Sequence, residues 1–419
     1  MTTSVKQVSS QESVTPASQA DEAEAVRAAY EAGEAVYPRG GGTALDYGNA
    51  PSQPGRTLDL TGLGKVVDYA PRDMTILVEA GVRMADLAAT LAAEGQQLPI
   101  DVPRAGEATI GGVVATNWNG PRRYGLGTVR DYVIGINAVD GRGVAFKGGG
   151  RVVKNVAGYD FCKLLTGSLG TLGVITQLAF KVTPRAELAA AIVADCRDLS
   201  IAENALGRLA NLEAPPVAID LLVGSAWAAA AGRSQSTGVN GNQIVVRVEG
   251  TGDEVFWLAE RVEAELSVAG ASESRRLDDE EADLLWERQI AFSDRGAGAG
   301  DDNSPFVVQI AVPASAVTSM IARLTAIDAN CVIQAHAASG IIVARFAKFT
   351  HAELSAALVG KLRPAAVQLG GSLVVVRSKL EGLTSHLVWG GRTDAVVLLE
   401  RIKQKFDPKN ILNPGRYVF

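Results

Sequence analysis

The chain contains little cysteine and no cysteine motif. Its 419 residues include three cysteines, Cys162, Cys196 and Cys331, and no two of them stand at a Cys-x-x-Cys spacing. An odd number of dispersed cysteines argues against a disulfide framework and against an iron–sulfur cluster bound by this chain. The cysteines therefore favour a reducing compartment.

Long apolar runs and blocks of basic residues are absent as well. No apolar run approaches the roughly 20 residues of a membrane-spanning helix, and the Ser-rich N-terminus has no apolar signal core. Lys and Arg total 40 against 46 Asp and Glu, a formal net charge of −6, which argues against nucleic-acid binding. We expect a cytoplasmic protein with no direct membrane span, which associates with a membrane only through partners.

Two familiar nucleotide-binding fingerprints are also missing. Neither GxxxxGK[ST] nor GxGxxG occurs in the sequence, so an NTPase phosphate loop and a Rossmann domain are both disfavoured. Glycine is nevertheless plentiful, at 45 residues, above the usual share of about 7%. Because glycine lets a ligand approach the backbone closely, this excess fits a site built from loops.

The first glycine cluster is Gly40–Gly42, which directly follows a short apolar segment and Tyr37-Pro38-Arg39. Successive amides of Gly40–Thr43 can form a concave nest for a diphosphate, and Thr43 adds a hydroxyl donor. This run therefore predicts an anion-binding loop of a kind that the two missing fingerprints do not describe.

Three further glycine-bearing runs lie between residues 103 and 175. They are PRAGEATIGG (Pro103–Gly112), ATNWNGPRRYG (Ala115–Gly125) and GSLGTLGVI (Gly167–Ile175). Thr109–Gly112 predicts a turn into a short buried helix with an outward-facing N-terminus, whose exposed amides attract anions. A helix packed closely without a ligand explains one such glycine pair, but three runs in one segment favour a ligand site.

The length predicts two or three domains. Residues 1–20 are polar and predict a disordered tail, and residues 21–186 hold short helices and strands in mixed order. Periodicity and turn residues predict helices at 21–33, 84–95 and 159–165, strands at 57–60, 66–69, 75–79, 133–139, 144–147 and 174–182, and a hairpin turn at Asp140-Gly141.

Residues 187–391 show a different pattern, which predicts two consecutive sets of strand, helix, strand, strand, helix and strand. Each set has the order of a split βαβ unit, so the pair predicts an antiparallel sheet backed by helices. Residues 392–419 begin with an amphipathic helix at Arg392–Phe406. The predicted elements are 188–195, 199–211, 217–223, 243–249, 253–268 and 271–277, then 305–312, 314–327, 331–336, 340–346, 350–363 and 371–376.

Several of these runs together resemble a known family. PRGGGT, DVPRAGEATIGGVVATNWNGPRRYG, VKNVAGYDFCKLLTGSLGTLGVIT and the terminal FDPKNILNPGR are similar to the FAD-binding fold of the vanillyl-alcohol oxidase (PCMH-type) superfamily. Within it, GPRR…VRDYVIG and GGRVVKNVAGYD resemble the FAD-binding E subunits of bacterial glycolate oxidase. The motifs cover residues 37–185 and return at 406–416, whereas the interval between them matches only in layout.

The resemblance implies an α+β fold, with a two-lobed PCMH-type FAD-binding domain at 21–186, a cap or substrate domain at 187–391, and a C-terminal segment, 392–419, that returns to the FAD domain. It also implies noncovalent FAD, because Thr43 stands where some members attach the flavin through histidine. The implied FAD-contacting residues are Pro38, Arg39, Gly40, Gly41, Gly42, Thr43, Pro103, Gly106, Thr109, Ile110, Gly111, Gly112, Ala115, Thr116, Gly173, Val174, Ile175 and Asn413.

Substrate residues are less clearly marked. Catalytic relatives often carry a metal-binding HxGDGNxH motif on the cap, but the similar stretch here, His336–Val343, keeps only its first histidine. A lone histidine between two strands is more often structural than a ligand, so we predict no metal site. This departure also argues against hydroxy-acid oxidation by the chain alone.

The candidate catalytic residues are Arg122, Arg123 and His386. The two arginines can bind a substrate carboxylate or a flavin phosphate, or they can be a solvated pair. His386 and Trp389 can approach a flavin face, or they can be a surface imidazole and a packed aromatic ring. Cys162 is expected to pack in the core rather than react.

These expectations lead to three functional hypotheses. The first is an FAD-binding subunit of a glycolate oxidase (glycolate dehydrogenase) complex, which oxidises glycolate to glyoxylate with a paralogous catalytic flavin subunit and an iron–sulfur subunit as partners. The second is a self-sufficient FAD-dependent dehydrogenase for another small 2-hydroxy acid such as D-lactate. The third is a flavin-binding assembly subunit without catalysis. The sequence leaves open the 2-hydroxy acid, the electron acceptor and the stoichiometry.

Overall fold

The computed structural model describes residues 10–150, 158–230, 241–272, 274–295, 306–346, 353, 356–378, 380, 382–391 and 394–418. Parts of some predicted elements lie outside these residues. They are 1–9 of the predicted tail, 151–157 within the GGRVVKNVAGYD motif, residue 273 of the predicted strand 271–277, residue 305 of the predicted strand 305–312, part of the predicted helix at 350–363, and the first two residues of the predicted C-terminal helix.

The chain divides into two compact units. The first consists of Met1–Asn119, Thr128–Arg185 and Gly391–Phe419, and the second of Gly120–Gly127 and Ala186–Gly390. The assignment of all of 21–186 to one domain is therefore wrong for residues 120–127. Within the second unit, the N–H of Gly125 donates to the carbonyl of Val217 (3.1 Å). A Cβ on Gly125 would stand 2.7 Å from the carbonyl oxygen of Pro216, so glycine permits this close approach.

The first unit opens with a parallel three-stranded sheet in the order β1-β3-β2, beside helix α1. The helix ends as predicted at Gly33, which caps it in the left-handed region. A disordered tail over 1–20 is wrong for residues 10–20, because β1 pairs with β3 through its backbone and Ser18 caps α1. The bounds are Ser10–Val14 (β1), Gln19–Ala32 (α1), Ala35–Arg39 (β2) and Gly55–Asp59 (β3).

A five-stranded antiparallel sheet follows in the first unit, in the order β4-β5-β9-β7-β8. Two of its three interior strands, β5 and β9, are apolar on both faces and largely buried. Asp140-Gly141 lies in the hairpin between β7 and β8, as predicted. The bounds are Val66–Ala70 (β4), Thr75–Glu79 (β5), Val133–Val139 (β7), Ala145–Gly149 (β8) and Val174–Lys181 (β9), with Gln96–Gln97 (β6) and Thr183–Pro184 (β10) as a separate pair.

Short helices cover this second sheet. Their buried residues, such as Leu87, Leu91 and Leu165, pack with Ile76 and Phe180 of the strands in one core. These helices of the first unit are Met84–Ala92 (α2), Ile110–Thr116 (α3), Val129–Tyr132 (α5) and Phe161–Leu165 (α6). The helix Arg123–Leu126 (α4) belongs to the second unit. Single 3₁₀ turns occupy Leu60–Gly62 and Pro71–Asp73.

The second unit contains one eight-stranded sheet, in the order β14-β11-β13-β12-β16-β17-β15-β18, with antiparallel pairing throughout. Its strands are Leu188–Cys196 (β11), Ala218–Val223 (β12), Asn242–Gly250 (β13), Arg275–Arg276 (β14), Phe306–Ala311 (β15), Val332–His336 (β16), Ile341–Phe346 (β17) and Ser372–Ser378 (β18).

The strand order confirms the predicted duplication. In each half, the first strand lies between the fourth strand and the third strand of that half. The second strand of each half lies at the centre of the whole sheet, where β12 pairs with β16. The fold class of an α+β protein with an antiparallel cap sheet is therefore confirmed. The helices are Leu199–Leu209 (α7), Ser225–Ala230 (α8), Gly252–Val268 (α9), Asp279–Arg295 (α10), Val317–Ile327 (α11), Arg363–Gln368 (α12) and Ser385–Trp389 (α13), with 3₁₀ turns at Ala314–Ala316 and Ala337–Ser339 and a π turn at Leu358–Leu362.

The C-terminal segment of the first unit is the helix Asp394–Phe406 (α14) and a tail that forms a parallel bridge from Leu412 to Val36 of β2. Among the described residues, no helix combines the length and apolar character needed to cross a membrane.

A buried carboxyl in α1 makes the stability of the first unit depend on pH. Glu22 is 0% exposed and neither carboxylate oxygen has a hydrogen-bond partner. Burial raises its pKa well above the usual value of 4.5. A carboxyl whose pKa is raised by folding contributes stability that is complete below the unfolded pKa and is lost as the pH rises through the folded one.

We therefore expect Glu22→Gln to unfold at a higher temperature than the wild type at pH 8, with the difference shrinking toward pH 4. Glu24→Gln changes an exposed carboxyl on the same helix and should leave the melting temperature unchanged at both pH values. Thermal unfolding followed by circular dichroism measures both variants. A Glu22→Gln protein less stable than wild type at pH 8 would contradict the prediction.

In the second unit, Gly340 joins β16 to β17 and has a φ of +69°. A Cβ there would overlap the carbonyl oxygen of Val312. Gly340→Ala should lower the free energy of unfolding by at least about 1–2 kcal/mol, the cost of alanine in the left-handed region. Gly207→Ala is the matched control: Gly207 lies inside α7 with open space around its Cα, so alanine should raise stability by up to about 1 kcal/mol. Urea denaturation compares the two.

Candidate functional site

The Gly40–Gly42 run leaves the end of β2 and packs directly against residues 107–109. A Cβ on Gly40 would overlap the side chain of Thr109, and one on Gly41 would overlap the carbonyl of Glu107. Gly42 has a φ of +72°, which glycine adopts without strain. The structure thus brings the first predicted run, Pro38–Thr43, into contact with the second, Pro103–Gly112.

Arg104 joins the same two runs. Its Nη2 donates to the carbonyl of Thr43 at 2.5 Å, and its own φ is +51°, an uncommon backbone conformation for a residue with a side chain. Arg104 is absent from the predicted site although it stands inside the predicted PRAG run. The sequence feature that could have identified Arg104 is its position as a charged residue within a glycine-rich run.

Two buried hydroxyls near these runs have no hydrogen-bond partner among the described residues: Thr109 Oγ1 and Ser168 Oγ. A buried polar group without a partner costs about 1–3 kcal/mol. Such a cost is offset when a ligand supplies the missing partner. Thr109 is a predicted site residue, whereas Ser168 was missed although it lies in the predicted run Gly167–Ile175.

Helix α3 begins where expected, but its first amides are not exposed. The N–H of Ile110 donates to the carbonyl of Val82 (2.9 Å), and that of Gly111 donates to the carbonyl of Ala80 (2.8 Å). A Cβ on Gly111 would stand 2.7 Å from Cβ of Ala80. The prediction of outward-facing amides at this helix end is therefore wrong for Ile110 and Gly111, which pack α3 against the segment after β5.

The C-terminal half of α3 carries the other predicted residues of this run. Thr116 Oγ1 donates to the carbonyls of Gly112 (2.9 Å) and Val113 (3.2 Å), so this hydroxyl is already used within the helix. The carbonyl of Ala115 accepts the N–H of Leu169 (2.8 Å), which brings the third glycine run to the end of α3.

That third run is held by the C-terminal tail. Leu169 has a φ of +54° and Asn413 a φ of +44°, and Asn413 Nδ2 donates to the carbonyl of Leu169 at 2.6 Å. A Cβ on Gly170 would stand 3.0 Å from the same Nδ2 and 3.6 Å from Pro38. Pro38, Gly170 and Asn413 therefore meet at one point of the first unit.

The remaining predicted FAD residues lie nearby in sequence but have different structural environments. Val174 and Ile175 are buried in β9 and pair with Val139 and Ala138 of β7, and Gly173 packs against Phe146. Gly106 has open space around its Cα. The runs at 38–43, 103–116 and 167–170 and Asn413 are thus brought together, and Val174 and Ile175 take part in the sheet.

The three candidate catalytic residues belong to the second unit, where they do not converge. Arg122 contacts Glu249 of β13 (3.4 Å), whereas His386 lies on α13, which packs on β18. Four strands separate β13 from β18 in the sheet, which corresponds to roughly 24 Å at the usual strand spacing. One small 2-hydroxy acid cannot contact both residues across that distance within this unit.

Arg122 is also not a solvated residue. Its side chain is 15% exposed, and Glu249 binds Arg247 as well, at 2.7 Å. The guanidinium of Arg247 stacks on Trp286 with 4.3 Å to the ring centroid. Arg123 is partly buried at the start of α4, His386 is exposed, and Trp389 packs against the core of the unit.

His336 is part of a buried hydrogen-bond network. Its Nδ1 lies 2.8 Å from Asp220 Oδ1, and Asp220 Oδ2 accepts the side-chain amides of Gln289 (2.7 Å) and Gln334 (2.8 Å). In the described part of the chain, no group of three or more His, Cys, Asp and Glu residues is placed to hold a metal ion. The network accounts for a lone histidine as a structural residue.

All three cysteines are buried. Burial raises the pKa of Cys162 to about 11 and that of Cys196 to about 12, and it raises the pKa of Cys331 as well. Thiols with such raised pKa values are mostly protonated at neutral pH and react slowly. The packing role expected for Cys162 agrees with this placement.

The geometry of the first unit fits FAD. Close-packed glycine backbone, two unpartnered hydroxyls and a tail-anchored loop form a polar, loop-built cradle. Family models identify the class of protein: the FAD binding domain matches residues 11–149, and the C-terminal domain of FAD linked oxidases matches residues 186–375 and 386–417. The second match alone covers more than half of the chain. The protein belongs to the FAD-linked oxidases and is an FAD-dependent oxidoreductase.

Several individual proteins are similar to the chain. The chain is 39% identical over 166 residues to the glycolate oxidase subunit GlcE of Escherichia coli (strain K12), an alignment that covers 39% of this chain and 46% of that protein. It is 26% identical to the glycolate oxidase subunit GlcD of Bacillus subtilis (strain 168), over 91% of this chain and 83% of that protein. A mitochondrial D-lactate dehydrogenase (cytochrome) of Arabidopsis thaliana is 26% identical over 91% of this chain and 69% of that protein.

Among solved structures, alkyldihydroxyacetonephosphate synthase has the same fold. The TM-score is 0.67 with 17% sequence identity, over 96% of this chain and 76% of that protein.

The Thr109→Val substitution distinguishes a role of the Thr109 hydroxyl in FAD binding from a role in the stability of the fold. Thr109→Val removes a buried hydroxyl that has no partner in the apoprotein, so the free energy of unfolding should stay constant or rise by up to about 1 kcal/mol. FAD affinity should fall about tenfold, the equivalent of one lost hydrogen bond. Chemical denaturation of the apoprotein and fluorescence titration with FAD measure the two quantities.

Thr176→Val serves as the control, because Thr176 Oγ1 already donates to the carbonyl of Asn137 (3.0 Å). It should lower the free energy of unfolding by about 1 kcal/mol and leave FAD affinity unchanged. An apoprotein destabilised by Thr109→Val that still binds FAD like the wild type would show that this hydroxyl does not face the cofactor.

Proposed function

We propose that the chain is the FAD-binding subunit of a complex that oxidises a small 2-hydroxy acid, of the glycolate oxidase type. Two of its relatives are named as glycolate oxidase subunits, one in each of two bacteria. Glycolate is accordingly the proposed substrate and glyoxylate the product. The proposal includes noncovalent FAD bound by the runs at 38–43, 103–116 and 167–175 and by Asn413.

The observation that carries the subunit hypothesis is the environment of His336. Its Nδ1 is bound to Asp220, and the other oxygen of that carboxylate accepts the side-chain amides of two glutamines. Arg122 and Arg247 share Glu249, which lowers their availability for a substrate carboxylate. Among the residues that the structure describes, the chain therefore builds an FAD cradle but brings no set of candidate substrate residues together, and a paralogous flavin subunit would carry the main substrate site.

The chemistry defines what the partners must do. Oxidation of a 2-hydroxy acid removes the hydroxyl proton and a hydride from C2, and bound FAD supplies the two-electron acceptor. Those electrons must then leave one at a time when the next carrier is an iron–sulfur cluster. Because the cysteines of this chain lack cluster spacing, the proposed iron–sulfur carrier is a separate subunit. We place the complex in the cytoplasm, with any membrane attachment through partners.

A second function is favoured by a different observation. The match to the D-lactate dehydrogenase of Arabidopsis extends over 91% of this chain, so the chain has the layout of a relative named as an enzyme in its own right. A self-sufficient 2-hydroxy-acid dehydrogenase is the alternative, and a flavin-binding assembly subunit without catalysis is the third.

The visible spectrum of the purified chain, followed without oxygen, separates these functions. We expect a flavin spectrum that is released by denaturation, because Thr43 offers no attachment histidine, and that stays oxidised with glycolate or D-lactate until partner subunits are added. Bleaching by either acid with the chain alone would establish the self-sufficient enzyme instead. Full activity of a complex rebuilt around FAD-free chain would establish the assembly role.

Folded protein that neither contains flavin nor binds added FAD would overturn all three. Gly41→Ala puts a Cβ against the backbone of Glu107. This variant should lose its flavin and serves as the reference for flavin-free protein. Gly64→Ala, where the nearest atom is an ordinary 3.5 Å away, is its control and should retain the wild-type flavin content.

A further inference from the structure

Lys403 of α14 is a buried cation that donates hydrogen bonds to groups from several segments. Its Nζ donates to Asp407 Oδ2 (2.6 Å), to the carbonyl of Thr171 (2.8 Å) and to the carbonyl of Leu412 (2.9 Å). The residue is 5% exposed.

Asp407 completes the arrangement from the other side. Its carboxylate accepts the backbone N–H groups of Ile411 (3.0 Å) and Leu412 (2.7 Å), and the residue is 1% exposed. The turn after β7 comes so close that a Cβ on Gly141 would stand 2.5 Å from Asp407 Oδ1. The ion pair therefore fixes both the N–H and the C=O groups of the tail.

The tail fixed in this way leads directly to the FAD cradle. Val36 donates its N–H to the carbonyl of Ile411 (2.7 Å) and accepts the N–H of Asn413 (2.9 Å). Val36 belongs to β2, which runs into Pro38 and the Gly40–Gly42 run. Asn413 in turn holds Leu169, two residues before the carbonyl of Thr171 that Lys403 binds.

We propose that Lys403 and Asp407 form a positioning pair for FAD, which sets the tail at Asn413 and the loop at 169–171 against the end of β2. The inference rests on FAD binding by this chain and assigns to that site two residues that are outside the predicted FAD-contacting set. The pair acts through Asn413, Leu169 and Pro38.

A stabilising role alone explains the pair poorly. Burial lowers the pKa of Lys403, opposed by Asp407, which shows the desolvation that a buried ion pair has to overcome. A protein in which apolar residues of similar volume replace a buried ion pair is often as stable as the original protein or more stable. Apolar side chains, however, cannot bind two carbonyls and two amides in fixed directions, and those four groups belong to the segments that form the cradle.

The test compares Lys403→Met with Lys405→Met, an exposed lysine on the same helix. Apoprotein is titrated with FAD by the quenching of flavin fluorescence, well below each melting temperature. Lys403→Met should raise the Kd for FAD at least about tenfold, the equivalent of one hydrogen bond to a charged group. It should also reduce the rise in melting temperature that FAD produces. Lys405→Met should match the wild type in both.

Lys403→Met leaves Asp407 buried without its cation and can fail to fold. The double variant Lys403→Met/Asp407→Leu removes both charges and should fold better while still binding FAD weakly. Folded variants that lose apoprotein stability but bind FAD within twofold of the wild type would overturn the proposal, because a structural role predicts that result.

Hydrogen exchange of the wild-type protein tests the proposal without any variant. If the pair couples the tail to the cofactor, FAD must slow exchange of the Ile411 and Leu412 amides, since coupling between two events is reciprocal. Unchanged exchange at both amides with FAD bound would overturn the proposal. Wild-type protein that binds no FAD would instead overturn the proposed function.

Discussion

The first unit depends on a contact between two stretches of backbone. Gly40 and Gly41 lie so close to residues 107–109 that a Cβ on either glycine would overlap Thr109 or Glu107. No other residue type permits this approach, and through it the end of β2 meets the loop before α3. The unpartnered, buried hydroxyl of Thr109 lies at this contact, so the same constraint that packs the unit also places a polar group without a protein partner between the two runs.

In the second unit, apolar packing and a buried polar network lie on opposite faces of the sheet. Ile219, Leu221, Ile333 and Ala335 lie on the core face of β12 and β16, and their alternate neighbours form the network of Asp220, Gln334 and His336. Because side chains alternate along a strand, one sheet carries an apolar core on one face and a buried hydrogen-bond network on the other. Gln289 of α10 completes that network.

Local patterns were a reliable guide to elements with strong periodicity. The strands at 75–79 and 133–139, the helix starting at Met84 and the duplicated strand order of the second unit all follow from alternation and turn residues. The strand at Ser10–Val14 was missed because its order comes from pairing with β3, which polar residues make as readily as apolar ones. Gly111 was misread because the carbonyl of Ala80, about 30 residues earlier in the chain, occupies its amide.

The sequence by itself determined the fold class and the glycine runs, because these depend on residue types at fixed local spacings, and its resemblance to a known family implied FAD. Only the tertiary structure decided which runs meet and which do not. Asn413 reaches Leu169 through the tail that Lys403 and Asp407 hold, whereas Arg122 contacts β13 and His386 lies on a helix that packs on β18, with four strands between those two. The reason is that spacing along the chain reports local conformation, while distance across a fold is set by strand order and by contacts between residues far apart in sequence.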